Sequence, residues 1–176
     1  MDQFKILTIN SINDRYFKEF WPIYCKSFPL NERRTIEQQS AIINKFKYTL
    51  NVFLTDSQLM GFIAYWTTKE FIFIEHLAIA PQFRNQGQGN AILSSFVENN
   101  AIPVILEIEL PIDKTTQSRL RFYESLCFKM NSHTHFQPAY HIGDEPVPMK
   151  ILSYPDGMSD STYQQFARYQ KEIMMG

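Results

Sequence analysis

Cysteine, glycine and net charge are all scarce in this chain. Only two cysteines, Cys25 and Cys127, occur among its 176 residues. Two are too few for a disulfide framework, and no Cys/His spacing of the metal-binding kind appears, so no metal is expected. The formal net charge is −1, which argues against bulk attraction to nucleic acid or to an anionic membrane. No apolar run approaches the roughly 20 residues needed to cross a bilayer. The start Met-Asp-Gln-Phe-Lys-Ile lacks a basic segment followed by an apolar stretch, the mark of a signal peptide. The expectation is a cytoplasmic protein without nucleic-acid or membrane partners. The six glycines are sparse enough that two close together, Gly87 and Gly89, stand out.

Apolar residues make up 44% of the chain, charged residues 20% and aromatic residues 15%. That is ordinary globular composition with a large aromatic contribution to the core. The length suits one domain over 1–176, with 159–174 as a C-terminal helix. No internal repeat or low-complexity tract is visible. The apolar pattern reads as a strand at 4–8, a helix at 13–28 interrupted by Pro22, and a helix at 35–47. Strands follow at 48–55, 58–67 and 70–79, with short connections that favour an antiparallel meander. The remainder reads as a helix at 87–99, a strand at 103–110, a helix at 115–126, strands at 129–140 and 147–153, and a last helix that Ser159 or Asp160 can cap. This is a mixed α+β order.

The densest chemical signal lies at Glu75-His76-Leu77-Ala78-Ile79-Ala80-Pro81-Gln82-Phe83-Arg84-Asn85-Gln86-Gly87-Gln88-Gly89-Asn90. An apolar strand ends in Arg-x-x-Gly-x-Gly, and an amphipathic helix opens. Glycines let backbone approach a ligand, and the helix start turns unpaired N–H groups and a positive dipole end toward it. That combination cradles phosphate. A P-loop would need Lys-Ser or Lys-Thr after the last glycine, where Asn90-Ala91 stands. A dinucleotide fingerprint would need glycine at position 92, which is isoleucine.

This block resembles the acetyl-CoA loop of the GNAT N-acetyltransferases. A second block, Arg121-Phe122-Tyr123-Glu124-Ser125-Leu126-Cys127-Phe128, resembles the family's Phe-Tyr-Glu-x-Leu-Gly-Phe signature. Both stand in the family order. The resemblance implies the GNAT fold: a central, mostly antiparallel mixed sheet flanked by helices, with a slot for the pantetheine arm between the fourth and fifth strands. It implies acetyl-CoA as cosubstrate and an amine acceptor, joined by direct transfer, and it leaves room for a homodimer. The resemblance places Leu77, Ala78 and Ile79 on the pantetheine amides through main-chain groups. It places Arg84, Asn85, Gln86, Gly87, Gln88, Gly89 and Asn90 on the pyrophosphate. Thr116 stands where many relatives carry an Asn touching the CoA arm.

Transfer to an amine needs a base, a site for developing negative charge on the carbonyl oxygen, and a proton for the leaving thiolate. Glu75 is the candidate base. Flanking apolar residues would raise its carboxyl pKa by desolvation; a structural, ion-paired glutamate is the alternative. Glu107 and Glu109 are rivals that should share one face of the next strand. His76 alternates with Glu75 on a regular strand and reads as a packed or hydrogen-bonded histidine. Tyr123 is the candidate acid, matching the family tyrosine that faces the CoA sulfur; a core aromatic is the alternative. Cys127 replaces the signature glycine, which alters the turn if cysteine refuses a left-handed conformation. Arg33 and Arg34 either bind an acceptor carboxylate or phosphate or form a solvated charge cluster. Tyr65, Trp66 and Phe73 either line the acceptor cleft or pack the core. A non-catalytic acyl-CoA sensor is the competing function, and a nucleotide-binding domain a third.

Overall fold

Alternating apolar residues build two groups of antiparallel strands, one on each side of the Ile102–Pro103 junction. The computed structural model describes residues 4–175 and divides there into two compact units.

The first unit carries β1 (Lys5–Thr8), α1 (Arg15–Ser27), α2 (Ile36–Ile42), β2 (Tyr48–Thr55), β3 (Gln58–Thr67), β4 (Ile72–Ile79) and α3 (Gln88–Glu98). Its strands pair in sequence order as an antiparallel meander. The two-residue turn Asp56-Ser57 has positive φ at both positions, 48° and 64°, as the twist of a tight hairpin requires. Phe20 and Tyr24 of α1 meet Phe62 of β3, with ring centroids 4.7 and 6.2 Å apart. Tyr65, on the other face, packs on Phe96 of α3 at 5.0 Å. Gly61 permits the closest backbone approach: a Cβ there would lie 2.8 Å from the Ala78 carbonyl oxygen.

Pro22 does not split α1. It lies on the exposed side of the helix, where water can take the carbonyl that its missing N–H leaves open. The second helix is shorter than its pattern suggests. It ends at Ile42, and tight turns closed by Lys45 N–H to Ile42 O and Tyr48 N–H to Lys45 O lead directly into β2.

The second unit carries β5 (Val104–Glu109), α4 (Lys114–Ser125), β6 (Lys129–Met130), β7 (His135–Gln137), β8 (Val147–Tyr154) and α5 (Asp160–Met175). β8 pairs antiparallel with β5, β6 and β7. The single strand expected at 129–140 is thus two short ones. Buried Asn131 separates them: its amide donates to Ser153 Oγ at 2.9 Å and accepts from Met158 N–H at 2.7 Å. Ser159 caps α5 by accepting from Thr162 N–H at 3.1 Å. Among the described residues no helix is long and apolar enough to cross a membrane.

Cys127 takes the left-handed conformation, φ 66°, so the turn after α4 keeps its form. Phe128 N–H bonds Tyr123 O and Cys127 N–H bonds Glu124 O, the paired closure of a Schellman motif. A side chain in this conformation carries roughly 1–2 kcal/mol of strain, partly offset by the greater unfolded-state freedom of glycine. Cys127→Gly is therefore expected to stabilise the fold by about 0.5–1 kcal/mol. Urea melts at equal slope check this, and a destabilised variant would refute it.

Candidate functional site

The segment after β4 is built to leave a helix end open. Asn85 and Gly87 have positive φ, 59° and 76°, and the second opens α3. Side chains cap α1, α2 and α4 through Asp14, Thr35 and Asp113, whereas none caps α3. The first bond into α3 is Ala91 N–H to Gly87 O, at 3.1 Å. The N–H groups of Gln88, Gly89 and Asn90 therefore face outward with the positive end of the helix dipole. Arg84 stands in the loop just before this start. Its Nε donates to Ile79 O at 2.9 Å and one Nη reaches Ser27 Oγ at 3.4 Å. The arrangement suits a diphosphate: backbone donors at an uncapped helix start with a guanidinium in the preceding loop.

β4 supplies main-chain groups just before this loop. Ala80 N–H bonds Met60 O at 2.9 Å, so the Met60–Ala80 pair is hydrogen-bonded. In an antiparallel ladder such pairs alternate. Ala78 and His76 therefore bond toward β3, while Leu77 and Ile79 turn their N–H and C=O groups away from it. This corrects the expectation for Ala78, whose backbone the β3 ladder engages.

A β-bulge sits at Glu75. The register passes from Ala64↔His76 to Tyr65↔Ile74, leaving Glu75 as the extra residue. A bulge breaks the two-residue alternation, so Glu75 and His76 do not point to opposite faces. The Glu75 carboxylate is 2.6 Å from Arg34 Nη1 and accepts from Trp66 Nε1 at 3.1 Å. Both charged side chains are buried, Arg34 to 4% exposure and Glu75 to 1%. His76 donates from Nε2 to Glu32 O at 2.9 Å and stands edge-on to Tyr24 and Phe28. Burial lowers the His76 pKa to about 4, so the ring is neutral near pH 7.

These contacts overturn the expected electrostatics of Glu75. Burial pushes its carboxyl up, but the charge of Arg34, the field of His76 and hydrogen bonds from Arg34 and Trp66 outweigh it, and the net shift is downward. A buried carboxylate held low by a cation is a poor proton acceptor. Arg34 is likewise not a solvated charge. Its backbone N–H also donates to the Tyr24 hydroxyl at 2.8 Å. Trp66 and Phe73 are core residues. Arg34, His76 and Tyr24 together pin the 28–35 connection to β4 and α1.

In the second unit Tyr123 is buried between Phe122 and Phe128. Burial pushes its phenol up to about 12, with Arg119 drawing it down and Glu109 raising it. Arg119 and Glu109 form an ion pair. Glu107 instead accepts from His135 and from Gln170, the latter at 2.7 Å.

Comparison with known proteins finds clear similarities. Residues 47–129 match the family described as "Acetyltransferase (GNAT) domain". The chain is 27% identical over 161 residues to "Putative acetyltransferase YjbC" of Bacillus subtilis (strain 168), covering 85% of this chain and 81% of that protein. A GNAT-family structure from Bacteroides thetaiotaomicron superposes with a TM-score of 0.89 at 26% identity, covering 96% of this chain and 97% of that one. The chain is thus similar to GNAT acetyltransferases over nearly its whole length.

It has the α+β fold of the GNAT structures, and these similarities support an acyltransferase. A more distant GNAT structure, from Elizabethkingia anophelis, has acetyl-CoA bound; it superposes with a TM-score of 0.60 at 14% identity, covering 87% of this chain and 98% of that one.

One GNAT-derived expectation is corrected. The Thr116 hydroxyl is engaged in the capping box of α4, accepting from Asp113 N–H at 3.1 Å and donating to Asp113 Oδ1 at 3.0 Å. It is committed to the helix start rather than turned toward a ligand. One residue and one pairing that sequence reasoning passed over also stand out. Arg119 precedes Tyr123 by one helical turn, a spacing that was readable. The pairing of Arg34 with Glu75 joins distant segments and had no local signal.

Proposed function

We propose that the chain transfers an acetyl group from acetyl-CoA directly to a primary amine of a small molecule or peptide. The observation that carries this is the uncapped, glycine-opened start of α3 directly after β4. The Gln88–Asn90 N–H groups and Arg84 hold the diphosphate, assisted by the exposed amides of Asn85 and Gln86. The outward main-chain groups of Leu77 and the Ile79 N–H hold the pantetheine amides, while the Ile79 carbonyl stays with Arg84. Bound acetyl-CoA supplies an acetyl thioester. Nitrogen bonds the acetyl carbon, the C–S bond breaks with its electron pair on sulfur, and the amine proton leaves to water. Tyr123 donates a hydrogen bond to the departing sulfur. Glu75, paired with Arg34, anchors the 28–35 connection rather than acting as base. Two free cysteines fit a reducing cytoplasm.

Incubation with acetyl-CoA and an amine panel, followed by free-thiol release, tests transfer. Tight CoA binding without turnover on a broad panel would favour the sensor. The cofactor site has its own test in Gly89→Val. Gly89 lies in the first turn of α3 without positive φ, so valine costs little backbone strain there, unlike a change at Gly87. Its side chain should obstruct the diphosphate and weaken CoA binding more than tenfold while the fold persists. Calorimetry on the folded variant showing unchanged affinity would remove the phosphate assignment.

A further inference from the structure

We infer that Arg119 is a positioning residue for thiol departure: held by Glu109, its guanidinium sets the Tyr123 hydroxyl as a hydrogen-bond donor to sulfur. The inference rests on the proposed role of Tyr123. The two residues are four apart on α4 (Lys114–Ser125), so their side chains share a helix face. Glu109, the last residue of β5, fixes the guanidinium by an ion pair. Phe122 and Phe128, whose rings meet that of Tyr123, are apolar. Arg119 and Glu109 are thus the charged groups that bear on the phenol, and they act in opposite senses.

A phenol in an apolar pocket is a weak donor. A nearby cation strengthens it by favouring the electron density that hydrogen bonding draws onto oxygen. The effect grows as sulfur acquires charge, because the guanidinium also attracts the developing thiolate. Glu109 orients this cation and partly cancels its field. Both side chains are substantially exposed, Arg119 to 42% and Glu109 to 36%, so solvent screening keeps the effect moderate. A purely structural ion pair behaves otherwise: removing either partner would then do the same modest harm.

The opposed signs decide the matter. Arg119→Met removes the cation and Glu109→Gln removes the anion, and each is made in the wild-type and Tyr123→Phe backgrounds. The first readout is the fluorine NMR titration of full-length protein carrying 3-fluorotyrosine, its Tyr123 resonance identified by loss in Tyr123→Phe. Arg119→Met should move that titration upward by about half a pH unit, and Glu109→Gln downward by a similar amount. Shifts of the same sign, or none, would overturn the inference. The second readout is thiol release from acetyl-CoA with hydroxylamine, an acceptor uncharged at neutral pH that needs no protein base. Arg119→Met should slow release about 3- to 10-fold, Arg119→Lys should restore much of it, and Glu109→Gln should speed it about twofold. In Tyr123→Phe both changes should lose their effect. A slow Tyr123→Phe in which Arg119→Met still costs its full factor would refute Arg119 acting through Tyr123. Wild-type rates in Tyr123→Phe would instead remove the role of Tyr123 itself.

Discussion

Arg34→Met is expected to destabilise the fold by about 3–5 kcal/mol at neutral pH, the range for breaking a buried ion pair from one side. The mutation leaves the Glu75 carboxylate in a site exposed to only 1%, with the Trp66 indole N–H as a remaining donor. The cost depends on pH in a definite direction. In the wild type the Glu75 pKa is lowered on folding. Its contribution is therefore present above the unfolded value near 4.3 and is lost as pH falls through the lower folded value. Without Arg34 burial dominates and the folded pKa rises above the unfolded one. The penalty is then absent below about pH 4 and grows as pH increases. The difference between the two proteins should be largest near pH 7 and shrink on acidification. Arg34→Met/Glu75→Gln should recover much of the loss, because no uncompensated charge remains. Urea melts at several pH values read this out. A pH-independent loss below about 1 kcal/mol would mean that the pair is effectively solvated.

The same residues address the acceptor side. If Glu75 anchors the connection, Glu75→Gln and Arg34→Met should lower turnover of still-folded protein to similar extents, through displacement of the 28–35 segment. A fall of roughly 10²–10⁴-fold in Glu75→Gln, unmatched in Arg34→Met, would restore the carboxylate as the base.

Much of the fold was legible because its signals are local. The β2 and β3 boundaries at Tyr48–Thr55 and Gln58–Thr67 follow directly from the apolar runs either side of Asp56-Ser57. The Arg84–Asn90 segment announced a helix start through its glycines. The illegible features are those set by one inserted residue or by distant partners. Ile72 to Ile79 reads as an uninterrupted strand, and nothing in its composition marks the bulge at Glu75. Yet that bulge turns Glu75 from an alternating neighbour of His76 into its companion. Glu-Arg-Arg-Thr reads as a surface charge cluster, and only the position of β4 reveals that Arg34 is buried. Thr116 was the reverse case: Asp113-x-x-Thr116 is a local capping pattern, but the resemblance to a cofactor-contacting position drew attention away from it.

Tyr123→Phe is expected to slow the chemical step by about 10- to 1000-fold while leaving acetyl-CoA binding largely intact. The ring is packed by Phe122 and Phe128, and phenylalanine preserves that packing, so stability should change modestly. Burial pushes the hydroxyl pKa up to about 12, which bears on the proposed step. A free thiol has a pKa near 8.5, so complete proton transfer from this phenol to a thiolate is uphill. In the proposed transfer Tyr123 therefore acts chiefly by hydrogen bonding to sulfur as the C–S bond breaks, and the final proton comes from water. Such assistance matters most for a basic leaving thiolate. An acyl donor with a more acidic thiol should lose less in Tyr123→Phe, because its sulfur carries its charge more readily. Single-turnover transfer from two donors of different thiol acidity to one amine measures this directly. Equal rates for wild type and Tyr123→Phe with both donors would leave Tyr123 as a packing residue. An equal loss with both would place its contribution before C–S cleavage, in positioning the thioester.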